Sequence, residues 1–228
     1  MGRATSWRVC ALGLALVLSL LLPTAAACAA SDYAQELTAA LTATPDAESG
    51  ARIFALCAAC HDEDGAGTVD GQVPRIAGQS YRMLVTQLMD FRYSRRWDLR
   101  MEQLALSHRI EGAQGIADVA DHVNRLPIRG PIGTGDGTQL AHGHALYVRR
   151  CQSCHGAAGQ GNDAQGVPQL SAQHFAYLLR QMHDAVEGRR PHFPSAHVEL
   201  LDKLVRDDLV GVADYLSRLP PAIHVRGD

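Results

Sequence analysis

The chain has 228 residues, with 21 basic side chains against 24 acidic ones and a net charge of −3. No basic tract is dense enough to follow a phosphate backbone, so nucleic acid is excluded as a partner. The length fits one large domain or two small ones.

The N-terminus has the order of an export signal. Arg3 and Arg8 precede an apolar run from Val9 to Leu22, then Pro23 and the small residues Thr24 to Ala30. Charge, apolar core and cleavage region follow each other as they do in secreted chains. The run is too short to span a bilayer comfortably, and no later stretch is long and apolar enough to do so. Residues 1–30 are therefore read as a signal peptide, and the mature protein as soluble and exported, without a transmembrane anchor. Ala27, Ala29 and Ala30 are alternative cleavage points. At Cys28 a second outcome stands open, lipid anchoring at a poor version of a lipoprotein site with Ala25 in place of the usual aliphatic residue. Without Arg3 and Arg8 the balance becomes 19 basic to 24 acidic side chains.

Two copies of Cys-x-x-Cys-His follow, Cys57-Ala58-Ala59-Cys60-His61 and Cys151-Gln152-Ser153-Cys154-His155. This pentapeptide is the attachment signal of a c-type haem. Two thiols three positions apart add to two vinyl groups on one porphyrin edge, and the adjacent histidine is held under the ring as an iron ligand. A thioredoxin-like pair does not need the trailing histidine twice, and a single zinc site would have to join halves 94 residues apart. Two covalently bound haem c groups are expected, on Cys57, Cys60, Cys151 and Cys154, with His61 and His155 on the irons. If Cys10 and Cys28 leave with the signal, no cysteine remains for a structural disulfide.

The surroundings of the two motifs repeat. Pro74 and Pro168 each lie 13 residues after the motif histidine, in Val73-Pro74-Arg75-Ile76-Ala77-Gly78-Gln79 and Val167-Pro168-Gln169-Leu170-Ser171-Ala172-Gln173. Asn124-Arg125-Leu126-Pro127 and Ser217-Arg218-Leu219-Pro220 close the copies, giving a period of about 93 residues. Each copy reads as all-α. A first helix starts near Gly50 or Gly143 and carries Phe54 or Tyr147. A middle helix covers roughly Tyr81 to Arg92, or Phe175 to Glu187. A last helix carries an apolar stripe, Ile116, Val119, Ala120 and Val123 or Leu209, Val212, Ala213 and Leu216, which should pack on the first helix. Ile128 to Gln139 holds four glycines and Pro131 and reads as a linker. The boundaries are 31–127 for the first domain, 128–139 for the linker and 140–228 for the second. Domains this small bury little apolar surface, so haem should form much of each core.

A second protein ligand closes a haem iron to substrates and limits it to electron transfer. That ligand is expected from the segment between the middle and last helices. In the first copy this segment holds Met101, with His108 as the other candidate; Met83 and Met89 lie in the middle helix and read as core fillers. The second copy has no methionine after Met182, and its candidates are His197 and His192. Leu104 follows Met101 at the same distance as Leu200 follows His197, which favours His197. His142, His144, His174 and His183 read as surface or haem-edge residues.

Over residues 48 to 220 the chain resembles the diheme class I cytochromes c of the cytochrome c4 type, two tandem cytochrome c-like domains each wrapped around one covalent haem. The resemblance rests on both Cys-x-x-Cys-His motifs, both proline strings, the Gly-Gln and Ala-Gln that end them, and the terminal helices. It implies a methionine ligand in each domain, 18 residues before an aromatic of the last helix. Counting back from Tyr215 reaches His197, so here a histidine stands in one of the two methionine positions. The resemblance further implies periplasmic electron transfer, from a donor dehydrogenase or quinol-oxidising complex to an acceptor oxidase or reductase. Two alternatives are a dedicated haem subunit of a dehydrogenase and an enzyme using an exchangeable second haem; no catalytic residue is identifiable for the latter. Arg92, Arg95, Arg96 and Arg100, with Arg189 and Arg190 at the matching place, read either as a docking face for an acidic partner or as a solvated or propionate-binding cluster.

Overall fold

The computed structural model describes residues 32–106 and 108–222, and all regular structure among them is helical apart from one isolated bridge between Asn162 and Val167. The segment expected to be an export signal, with Cys10 and Cys28, lies outside the described residues. None of the described helices is long and apolar enough to cross a membrane.

In the first half, helix α1 covers 32–42, α2 Ala47–His61, α3 Tyr81–Arg92, α4 Leu99–Ala105 and α5 Gly112–Arg125. The second half has α6 Leu140–Arg150, α7 Gln152–His155, α8 Phe175–Val186, α9 Ser195–Asp202 and α10 Arg206–Arg218. Local chemistry sets the ends of these helices. Asp46, Ser80 and Asp98 accept backbone N–H groups at the starts of α2, α3 and α4, and the Asp208 carboxylate reaches back to the Val205 N–H at the start of α10.

The apolar stripe of each last helix packs on its first helix as expected, except that Leu209 lies with Ala185 and Leu201 instead. Ile116, Val119, Ala120 and Val123 of α5 share one core with Ile53, Phe54, Val85 and Met89. In the second half Val212, Ala213 and Leu216 of α10 pack with Leu146, Tyr147 and Leu178. The glycine near each helix start marks where the backbones cross. A Cβ on Gly50 would lie 2.4 Å from the Asp118 carbonyl oxygen, and one on Gly143 only 1.9 Å from that of Gly211.

Three features depart from the sequence reading. Helix α1 was not anticipated; its Tyr33, Leu37, Ala40 and Leu41 cover the first core, and Tyr81 donates its hydroxyl to the Ala40 carbonyl at 2.9 Å. In the second half the first helix breaks at Cys151, so its motif occupies a separate short helix. His174 is not a surface residue: it is 0% exposed, wedged between the two halves. Its Nδ1 accepts the Gly133 N–H at 3.1 Å, so Nε2 carries the hydrogen and donates to the Ala66 carbonyl at 2.8 Å. Burial lowers its pKa, keeping the neutral tautomer that this pair of bonds requires.

Residues 128–139 contain no helix but are not a loose tether. The Gly135 and Gly137 N–H groups both reach the buried Asp214 carboxylate, and Phe175 donates its N–H to the Gly133 carbonyl at 2.7 Å. The two halves also exchange side chains symmetrically. Gln79 Nε2 donates to the Gln169 carbonyl and its Oε1 accepts the Gln169 N–H, both at 3.0 Å. Gln173 does the same to Arg75, at 2.7 and 3.0 Å.

Gly143→Ala is expected to force α6 away from α10 and to destabilise the second half by about 1–3 kcal/mol, the usual cost of overpacking. Denaturant unfolding followed by the second haem's absorbance measures this; an unchanged midpoint would refute the backbone-to-backbone crossing.

Candidate functional site

Positions i, i+3 and i+4 of a helix share one face, so α2 presents Cys57, Cys60 and His61 together. Cys57 and His61 are buried while Cys60 is exposed. The second motif repeats this with Cys151 half-buried, Cys154 exposed and His155 buried. Burial pushes the Cys57 and Cys151 thiols up to about 11. A protonated thiol is a weak nucleophile, unlike the low-pKa cysteine of a redox pair. Among the described residues no three or more histidine, cysteine, aspartate or glutamate side chains gather as a metal site.

Each motif histidine is oriented by one hydrogen bond. His61 Nδ1 lies 2.9 Å from the Pro74 carbonyl oxygen, and His155 Nδ1 lies 3.2 Å from that of Pro168. A carbonyl can only accept, so Nδ1 carries the hydrogen and Nε2 keeps its lone pair for a metal. Burial lowers the pKa of both rings, favouring the neutral form that ligation needs.

The expected distal residues sit on short helices rather than in open loops. Met101 lies in the first turn of α4, where its N–H is held by Asp98. The charges of its neighbours Arg100 and Asp98 act on the His61 ring, the first lowering and the second raising its pKa. His197 lies in α9 with its ring centre 6.0 Å from that of His155 and the planes at 86°. Phe193 packs edge-on against His197 at 5.0 Å, and burial lowers the His197 pKa. His192 is exposed in the turn before α9, and His108 is exposed after α4. Met89 is fully buried in the first core, as its filler role requires.

These residues fit a haem. A metal–imidazole bond is roughly 2 Å long, so two imidazoles on one ion have ring centres roughly 6 Å apart, as His155 and His197 do. A second fit lies at Arg75. Its side chain is 5% exposed and donates to the carbonyls of Arg129 and Pro131, while its buried Nε meets no partner. Asp64 acts on this buried guanidinium through its charge, and the free Nε leaves a donor that suits the propionate of a porphyrin. The sequence alone assigned no role to Arg75 or to the paired glutamines, and placed His174 at the surface or the haem edge. The one available signal was that Gln79 and Gln173 end the proline strings at the same offset.

The arginine cluster is mostly occupied. Arg92 binds Glu36 and the Ala105 and Ile110 carbonyls, and Arg95 lies over the Tyr33 ring next to Asp90. Arg96 reaches across to Tyr177 and Gln181, and Arg190 to Gln87. Arg189 pairs with Asp184 and Glu187. Only Arg100 of the first group points mainly to solvent.

Comparison with known proteins adds the family. A model described as cytochrome c matches residues 47–123, and one described as cytochrome c oxidase, cbb3-type, subunit III matches residues 138–216. Cytochrome c4 of Pseudomonas aeruginosa is 29% identical, covering 80% of this chain and 93% of its own length. Cytochrome c4 of Thiocapsa roseopersicina is 30% identical, covering 76% and 93%. A thiosulfate dehydrogenase electron acceptor of Stutzerimonas stutzeri is 29% identical over 75% of this chain and 83% of its own. The crystal structure of reduced cytochrome c4 from Pseudomonas stutzeri superimposes with a TM-score of 0.67 at 28% identity, over 78% of this chain and all of that one. Both halves thus match cytochrome c domains, and their pairing matches cytochrome c4 along nearly its whole length. The chain belongs to the cytochrome c4 family, and is a diheme electron-transfer cytochrome with two covalently bound haem c groups.

Proposed function

We propose that the protein is a periplasmic electron carrier whose two irons have different ligands, His61 and Met101 in the first domain, His155 and His197 in the second. Thioether links run from Cys57 and Cys60 to one haem and from Cys151 and Cys154 to the other. The domains extend over 31–127 and 140–228, joined by 128–139, after export directed by residues 1–30. Each haem, when bound, supplies an iron that takes up and releases one electron. The protein's own part is to hold both axial positions, and a closed iron carries electrons without binding substrate.

The observation that carries this reading is the 6.0 Å separation of the His155 and His197 rings. His192, the other histidine of that segment, is exposed. The carrier role is preferred to that of an enzyme because each iron then has two protein ligands. Redox partners are a donor dehydrogenase or quinol-oxidising complex and an acceptor oxidase or reductase; kinship with a thiosulfate dehydrogenase electron acceptor supports a dehydrogenase as donor. Trp97, Leu99 and Leu106 stand exposed around α4, near Met101. Three apolar side chains at the rim of a redox centre suit brief docking better than a permanent subunit interface.

The purified mature protein is expected to carry the mass of two haems, both retained on the polypeptide in acid acetone. The double substitution Cys57→Ala, Cys60→Ala should leave one. Retention of two would refute attachment at the first motif.

Redox potentiometry should resolve two waves, the lower from the second domain, because imidazole stabilises ferric iron relative to a thioether. His197→Met should raise the lower wave toward the upper and add a second methionine-to-iron charge-transfer band at the red edge of the visible spectrum. If His197→Ala leaves both waves and the spectrum unchanged, His197 is not the ligand.

A further inference from the structure

The symmetric glutamine pair touches the peptide groups that orient the two motif histidines. The Pro74–Arg75 peptide accepts the His61 Nδ1 hydrogen on its oxygen and donates its N–H to Gln173 Oε1. The Pro168–Gln169 peptide accepts from His155 and donates its N–H to Gln79 Oε1. Each histidine is therefore linked, through a single peptide group, to a side chain of the opposite domain.

The backbone is shaped to keep the glutamines there. Gly78 and Ala172, which precede them, both adopt left-handed conformations, with φ of 69° and 55°. Such a φ comes at a cost for alanine, and it is retained where the surroundings demand it. Each Oε1 also accepts the N–H of the following residue, Ser80 or His174, both at 2.9 Å, which fixes the amide orientation. Gln173 is buried, so water cannot replace its bond to Arg75.

We propose that Gln173 and Gln79 are positioning residues that set the electron-donor strength of the histidine in the opposite domain, and so couple each haem's potential to domain docking. This rests on the reading that His61 and His155 bind the irons. A peptide whose N–H is hydrogen-bonded becomes a better acceptor at its oxygen, since the two bonds polarise one another. A stronger acceptor at Nδ1–H makes the imidazole more electron-rich at Nε2, as outer-shell partners of ligand histidines do. A more electron-rich ligand favours ferric iron, so each glutamine lowers the potential of the haem across the interface. The first domain should feel this more, its 2.9 Å histidine bond being shorter than the 3.2 Å bond of the second.

The test uses the full holoprotein with Gln173→Leu, Gln173→Glu and Gln79→Leu, reading each wave by potentiometry and assigning it from the paramagnetic spectrum. Gln173→Leu should raise the first-domain wave and leave the second in place. Gln79→Leu should raise the second-domain wave by a smaller shift and leave the first. Gln173→Glu keeps an acceptor oxygen whether or not it is ionised, so the first wave should stay or fall. The crossed pattern separates this from general loosening: unmoved waves, or each variant moving its own domain's wave or both waves equally, would overturn the proposal. A rise in Gln173→Glu would overturn it too, and that variant decides the matter if Gln173→Leu does not retain both haems. Failure of the underlying ligand assignment is distinguishable, because it would appear in the spectrum of the unsubstituted protein.

Discussion

The hydrogen bond from each motif histidine to the proline carbonyl 13 residues later is the constraint on which the rest of the structure hangs. It joins the end of a helix to the middle of an otherwise irregular loop, and the loop is built identically in both copies to make this connection. Gly67 and Gly161 donate their N–H groups to the carbonyls of His61 and His155, each at 2.8 Å. The Gly65 carbonyl collects the N–H groups of Ile76 and Ala77, and the Gly159 carbonyl those of Leu170 and Ser171. The proline contributes a fixed φ and no competing donor. The outcome is a neutral imidazole with one nitrogen spent on the protein and the other left for a metal.

That loop is also the surface on which the two domains meet. Because the residue after each proline lends both its N–H and its carbonyl to a glutamine of the other copy, the fold's pseudo-symmetry is expressed in the polar contacts between its domains. Buried amides of this kind are worth most when every partner is present, which selects one docking geometry over others of similar apolar area. Beside them, Arg75 and His174 add a buried cation and a neutral imidazole whose partners come from both domains and from 128–139. Docking is thus specified by polar complementarity, with the connection between domains drawn into the same network.

Much of this was legible in the sequence because the chemistry is local and repeated. The motif spacing, the proline offset and the helical stripes are fixed by covalent reach and by helix geometry, and α3, α5, α8 and α10 lie where the periodicity put them. His197 was favoured over His192 from register alone, and its ring stands next to His155. What could not be read depends on contacts between segments far apart in the chain. Nothing local distinguishes Arg92, Arg95 and Arg96 from solvated charges, yet they are consumed by carboxylates, carbonyls and a neighbouring tyrosine. His174 is an ordinary histidine until Ala66 and Gly133 close on it. Helix α1 does carry a pattern, with Tyr33, Leu37, Ala40 and Leu41 on one face, but it has no counterpart in the second copy and so no repeat to mark it.

The two domains also differ in how α4 and α9 are seated, and the difference suits the side chains these helices carry. Helix α4 buries Ala105 alone and is held by its Asp98 cap and by Arg92 on its last carbonyl. A methionine has three rotatable bonds and can reach its target from a lightly anchored turn. Helix α9 instead has a small core of its own, in which Leu201 packs with Ala185 and Leu209, flanked by Phe193, Leu200 and Leu204. An imidazole is rigid beyond χ2 and must be delivered in place by the backbone that bears it. On the proposed ligand set, the second domain therefore devotes packing to holding a ligand that stabilises ferric iron, while the first makes do with a flexible thioether that favours the reduced state. An electron shared between them should rest on the first haem, next to the exposed Trp97, Leu99 and Leu106, where a departing electron would meet its acceptor.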